Sequence, residues 1–370
     1  MRNIAFNGQP SAYLLPRKLI LTGVLALLPG WTSLPGNAPG NLVADMFAPD
    51  GSIHAVDRRG AFRRLFCDVN DAHGASLPDY RGCGEALRTI APEPDAPESD
   101  RGSSGDAEPM TLLVVLGLGF DCFGSFIDGN GQLLRVAEQL GHSIEIVDID
   151  GLGTTNQNAE VIRDRIGELV GTKPEGRLVL LGYSKGTNDI LSALVAYPEV
   201  AEEVDAVVSI AGAVGGSQLA LSTGQWSLGL LEMLPGATCS VPDGNVLESL
   251  YPSVRRAWLE QNSLPGHVAY FSVVSFPDAD RLSTALRPGF RSLAEVDARN
   301  DGQVTALDQV IPGSTVLGFV NADHWAVTLP VTRSHPWLAA AGINQNDFPR
   351  EVLLEAILKY VDMAVEVRTR

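Results

Sequence analysis

The chain has 370 residues, enough for one large α/β domain and additional material. Its hydrophobic content of 45% fits a globular protein, and its net charge of −17 argues against nucleic acid and anionic membrane surfaces as electrostatic partners. Cys67, Cys83, Cys122 and Cys239 form no C-x-x-C pair and no H-E-x-x-H occurs, so neither a zinc site nor a cofactor is expected.

At the N-terminus, Arg17 and Lys18 precede the apolar run at residues 19–28, which stops at Pro29-Gly30. A positive flank and so short an apolar stretch read as a signal or anchor segment spanning 1–39, with a helix packed on the domain as the alternative. Gly36-Asn37-Ala38 has cleavage-site spacing, but Pro39 follows it. Residues 40–90 hold few apolar runs and read as a small appendage with no second core. If the chain is exported, Cys67 and Cys83, with fifteen residues between them, are the easiest pair to join. Residues 91–109 carry four prolines and six acids against one arginine and read as a solvated linker.

From residue 110 strands and helices alternate. Strands are expected at 112–117, 143–149, 177–182, 205–212, 269–276 and 314–320, and helices at 132–140, 159–170, 185–196 and 348–367. This alternation predicts an α/β, mostly parallel, doubly wound sheet whose active residues lie beyond the carboxyl ends of the strands. The segment 215–266 interrupts it with few charges and many apolar residues, Trp226, Leu250 and Trp258 among them.

Between the strand at 177–182 and the helix at 185–196 stands Gly182-Tyr183-Ser184-Lys185-Gly186. A strand that turns directly into a packed helix brings backbone against backbone, so small residues are needed two places either side of the apex. The apex residue is strained and its side chain is held in the open. An ordinary glycine turn is the alternative. This G-x-S-x-G pattern resembles the nucleophile elbow of the α/β-hydrolase superfamily, and the resemblance covers about 111–370.

The resemblance implies a triad in the chain order Ser, Asp or Glu, His. Of the histidines after Ser184, His267 opens a strand and His335 precedes a proline in a loop. His324 follows the last apolar strand at its carboxyl end, where the superfamily places its base, with His335 as the second choice. The acid falls among Asp278, Asp280, Glu295, Asp297, Asp301 and Asp308, and Asp301, in a turn-forming Asn-Asp-Gly, resembles the acid loop of lipases and esterases. Residues 297–308 also resemble a calcium loop, although Arg299 stands where a ligand oxygen is needed. The oxyanion hole would use the N–H of Lys185 and one from Gly119 or Phe120, in a loop without the family's usual His-Gly. An insertion at 215–266 is where the superfamily carries a cap or lid; it would place Trp226 and Trp258 in the substrate pocket, unless these helices only pack on the domain.

The function implied is a serine hydrolase of esterase or lipase type acting on a small-molecule ester or lipid. Acyl transfer or amide hydrolysis by the same triad, and a non-catalytic binding protein, are the alternatives.

Overall fold

The computed structural model describes residues 39–48, 53–95, 108–120, 131–172, 176–222, 246–340 and 342–365. All belong to the unit Gly36–Arg370. The apolar run at 19–28, Trp226, Cys122 and Cys239 lie outside the described residues.

Seven strands form one sheet: β1 (Val56–Asp57), β2 (Met110–Val115), β3 (Ser143–Ile146), β4 (Arg177–Tyr183), β5 (Ala206–Ile210), β6 (Ala269–Ser275) and β7 (Thr315–Val320). Their order is β1-β7-β6-β5-β4-β2-β3, and every neighbouring pair is parallel. Six of the seven stand where the apolar runs predict them. In β4 all seven residues are buried, as an apolar run without alternation requires when both faces of a sheet are covered.

The helices used below are α1 (Pro39–Phe47), α2 (Arg59–His73), α3 (Gly131–Gln139), α4 (Thr155–Thr172), α5 (Lys185–Ala196), α6 (Pro252–Gln261) and α7 (Arg350–Ala364). On one face of the sheet, α2, α3 and α7 share an apolar cluster with Leu112, Val179, Phe271 and Leu317. On the other, α4 and α5 pack over Leu113, Leu180 and Val207. The helices therefore lie on both faces of a parallel sheet.

The segment expected as an appendage is built into the same core. Its strand β1 extends the sheet beside β7, and Phe62 and Phe66 of α2 are fully buried among residues of β7 and α7. Cys67 and Cys83 form a disulfide across Cα atoms 5.3 Å apart, as their spacing predicts. It ties α2 to the short helix Cys83–Ala86, after which Leu87 bridges Val320.

The strand order reverses direction at β2 and β4: after β2 the chain moves outward to β3, then returns to β4 on the other side. Loops leaving the carboxyl ends of two such strands diverge and leave a crevice, the usual ligand position in an open parallel sheet. Ser184 follows β4, and residues 116–120 follow β2.

Candidate active site

Ser184 stands between β4 and α5 with φ 55° and ψ −127°. A non-glycine residue there is strained by about 1–3 kcal/mol and persists only where its surroundings dictate it. Those surroundings are visible. A side chain at Gly186 would lie 2.2 Å from the Val115 carbonyl oxygen, and one at Gly182 would lie 2.6 Å from the Thr187 Cα. Strand and helix thus approach as closely as backbone permits, and the serine is lifted out of the turn. The Ser184 carbonyl is held by the N–H groups of Thr187 (3.2 Å) and Ala213 (3.0 Å).

His324 lies just past β7. Its Nε2 is 2.9 Å from Ser184 Oγ, and its Nδ1 is 2.6 Å from Asp301 Oδ2. A carboxylate only accepts, so Nδ1 carries the proton and Nε2 is free to accept from the serine hydroxyl. The acid is wholly buried and the base nearly so, whereas Ser184 is partly exposed. The His324 backbone N–H also donates to the Asp301 carbonyl at 3.0 Å, so ring and backbone are bound to one residue.

The acid sits in a turn closed by the bridge between Asn300 and Thr305. Its Oδ1 accepts the N–H groups of Gln303 (2.8 Å) and Val304 (2.7 Å). Gln309, which sequence reasoning did not single out, secures this loop to β6. Its side-chain amide accepts from the Ser275 N–H (2.6 Å), donates to the Ser275 carbonyl (2.7 Å) and reaches Asp301 Oδ2 at 3.3 Å. Asp323 was missed as well. Its carboxylate accepts the N–H groups of Ser283, Trp325 and Ala326 and so shapes the turn that carries His324. Burial pushes the Asp323 carboxyl up, although these hydrogen bonds pull the other way. The one sequence signal for it is its place beside the histidine.

Tyr183 is buried beneath the base, with ring centroids 5.2 Å apart, and its hydroxyl donates to the His324 carbonyl at 2.7 Å. Burial, with the Asp301 and Asp323 carboxylates nearby, holds the phenol well above its ordinary range, so it stays a neutral donor.

For the oxyanion donors the structure makes one correction. Gly119 does not point its N–H at the site; it donates to the Gly151 carbonyl at 3.0 Å. Gly117 of that loop lies against Ser184: a side chain there would stand 2.7 Å from Ser184 Cβ and 3.1 Å from its Oγ. With the Gly119 N–H so engaged, Phe120 and its loop neighbour Leu118 are left as the candidate donors of this loop. The Phe120 ring is buried edge-on against Tyr183, 6.2 Å between centroids. Lys185 is the first residue of α5, and an N–H at that position has no acceptor within its own helix.

His335 stacks edge-on against Trp337, and His267 Nε2 contacts the Ala201 carbonyl at 2.8 Å. Trp258, expected in the substrate pocket, lies in α6 against the cluster under α4 and α5, with the Arg255 guanidinium 4.6 Å from its ring centre. That is packing on the domain. The calcium reading fails on the side chains themselves. Asp297 is forked by Arg299 at 2.7–2.8 Å, Asp301 is turned to His324, and Asp308 accepts from Thr305 at 2.7 Å. Among the described residues no group of three or more His, Cys, Asp or Glu side chains could hold a metal ion.

An all-parallel sheet with helices on both faces is the arrangement of the α/β-hydrolase fold, and solved structures are similar to this chain. The solved structure of a metagenomic carboxyl esterase is 35% identical over 83% of this chain and 92% of that one, with a TM-score of 0.74. A lipase of Bacillus licheniformis in its propeptide form is 22% identical over 61% of this chain and 48% of that one, with a TM-score of 0.50, a likeness of fold alone. No family model matches the chain, and no curated protein does. The chain belongs to the α/β-hydrolase superfamily, among its esterase- and lipase-like members.

Proposed function

We propose that the protein is a serine hydrolase that cleaves carboxylic esters through an acyl-enzyme. One observation carries the reading: Ser184 Oγ, the His324 ring and the Asp301 carboxylate form a continuous line of hydrogen bonds at 2.9 and 2.6 Å. In this mechanism His324 Nε2 takes the Ser184 proton as Oγ attacks the acyl carbonyl. The imidazolium is stabilised by Asp301 and returns the proton to the leaving alcohol. Water then repeats the sequence on the acyl-enzyme, with His324 as base, and releases the acid. The developing oxyanion receives the N–H of Lys185 and one from Leu118 or Phe120.

The acyl group would lie against a small, largely buried apolar cluster formed by Leu118, Ala213, Ala220, Leu250, Tyr251 and Val304. It joins the β2 loop, both ends of the 215–266 segment and the acid loop, which supports a substrate of small-molecule ester or lipid type. Export is part of the same reading, and the Cys67–Cys83 disulfide supports it. Among the described residues no helix is long and apolar enough to cross a membrane.

The test is covalent. A fluorophosphonate should label the wild type at Ser184, and Ser184→Ala should abolish both labelling and hydrolysis of p-nitrophenyl esters, on the order of 10⁶ in kcat. Hydrolysis by Ser184→Ala within about tenfold of the wild type would overturn the proposal. A panel of esters of rising acyl length would define the substrate class, since a buried chain gains roughly 0.8 kcal/mol per methylene.

A further inference from the structure

Directly behind the elbow lies a set of buried charges with no part in the proton relay. Lys185 and Asp189 stand one turn apart on α5, about 1% and 0% exposed, with Lys185 Nζ 2.9 and 2.8 Å from the two carboxylate oxygens. Asn158, on α4 and equally buried, spends both hydrogens of its amide. One goes to Asp189 Oδ2 at 2.8 Å, the other to the Asp150 carbonyl at 2.9 Å. Asp150 opens a tight turn closed by its own contacts with Leu152 N–H (2.9 Å) and Gly153 N–H (2.9 Å). Within that turn, the Gly151 carbonyl holds the Gly119 N–H at 3.0 Å. Arg255 of α6 is also buried here and donates to the Val214 carbonyl at 3.1 Å, one residue beyond the N–H that holds the Ser184 carbonyl.

We infer that Asp189 is a positioning residue for the oxyanion hole, bonded through Lys185 to one donor segment and through Asn158 and the 150–153 turn to the other. The inference rests on the hydrolase reading above. Lys185 supplies the backbone N–H next to the nucleophile, and its own side chain staples the first turn of α5 to Asp189. The β2 loop, bearing Leu118 and Phe120, is anchored through Gly119 to the turn that Asn158 holds. One carboxylate thus fixes the separation of two donors that the chain places more than sixty residues apart. Stability alone is a weak reason for such a cluster, because well-packed apolar residues often replace a buried ion pair without loss. Geometry is a stronger one: oxyanion donors act only when aimed at where charge develops, and small displacements are costly. Burial pushes the Asp189 carboxyl up while Lys185 and Asn158 pull it down, and burial brings Arg255 down to about 10 with Asp189 opposing.

The experiment compares Asn158→Ala and Asp189→Asn with the wild type on a p-nitrophenyl ester, alongside thermal melts and inhibition by phenylboronic acid, which forms a tetrahedral adduct on the serine. Asn158→Ala keeps the ion pair and cuts only the link to the β2 loop, so it decides the matter if Asp189→Asn does not fold. In folded Asn158→Ala, kcat should fall about ten- to hundredfold with KM within about threefold, and the boronate should bind more weakly by a similar factor. The midpoint of the pH–rate profile should not move, because the relay is untouched. A kcat within about threefold of the wild type, with or without a lower Tm, would overturn the inference and leave the hydrolase reading standing. So would a rise in KM at unchanged kcat. A wild type that neither hydrolyses esters nor takes the fluorophosphonate would overturn both.

Discussion

The hydroxyl of Tyr183 donates to the carbonyl of His324 at 2.7 Å, so the residue before the nucleophile holds the backbone of the base. Because β4 and the loop after β7 carry these two residues, the bond helps fix the gap between Ser184 and His324 that the proposed proton transfer would cross. Tyr183→Phe keeps the ring contact with His324 and removes only the hydrogen bond. A net hydrogen bond contributes about 1 kcal/mol, so kcat should fall about fivefold and Tm by a few degrees. Steady-state kinetics and a thermal melt check both; an unchanged kcat would show that Asp301 alone positions the base.

Asp301→Asn separates an orienting acid from a metal ligand. An amide can present its NH₂ to His324 Nδ1 and stabilise the wrong tautomer. The expected loss is on the order of 10⁴ in kcat with the fold retained. Chelator added to the wild type should leave Tm unchanged, since Asp297 is already forked by Arg299. A chelator-sensitive melt together with an active Asp301→Asn would restore the calcium reading.

Two glycines near the elbow should respond differently to alanine. At Gly186 the added Cβ meets two backbone oxygens, of Val115 and Leu116, at 2.2 and 2.5 Å, and backbone cannot yield. Gly186→Ala should cost about 3 kcal/mol of stability through overpacking. At Gly117 the Cβ meets the nucleophile's own side chain, so Gly117→Ala should lower kcat by about tenfold or more while the melt moves less. Equal losses of stability in both would refute this division.

Replacing Cys67 by serine removes the bond between α2 and the helix at Cys83–Ala86. For a closed loop of this length the chain-entropy model gives up to ~3 kcal/mol. The melting temperature should drop, and mass spectrometry of the wild type made in an oxidising compartment should find both thiols bonded. Free thiols there would also remove the support for export.

Much of the site is legible in local sequence because its strain is local. Gly182 and Gly186 bracket Ser184 for a steric reason that operates within five residues, and the apolar runs either side reveal strand and helix. His324 and Asp301 are legible for a different reason: each stands at a structural landmark, His324 just past the last apolar strand and Asp301 within an Asn-Asp-Gly turn. By contrast, α2 is obscured by its arginines. Phe62, Phe66 and Val69 do recur at helical spacing, but Arg58, Arg59, Arg63 and Arg64 surround them and suggest a solvated segment. Arg59 is in fact buried, because Asp57 neutralises it at 2.7 Å and the Phe47 and Phe319 rings cover its guanidinium.

By itself, then, the sequence determined the alternation of strands and helices, the serine at the elbow and the order of the three polar residues that follow from it. Those features depend on neighbours along the chain. Only the tertiary structure decided that Gly119 gives its N–H to Gly151, that Gln309 grips the acid loop, that Trp258 packs on the domain, and that Asp189 lies beneath both sides of the elbow. Each of these depends on a contact between segments distant in sequence, Gln309 through its bonds to Ser275 of β6. A hydrogen-bond donor or a buried charge is satisfied by whatever the fold brings within about 3 Å, and no local pattern encodes that partner.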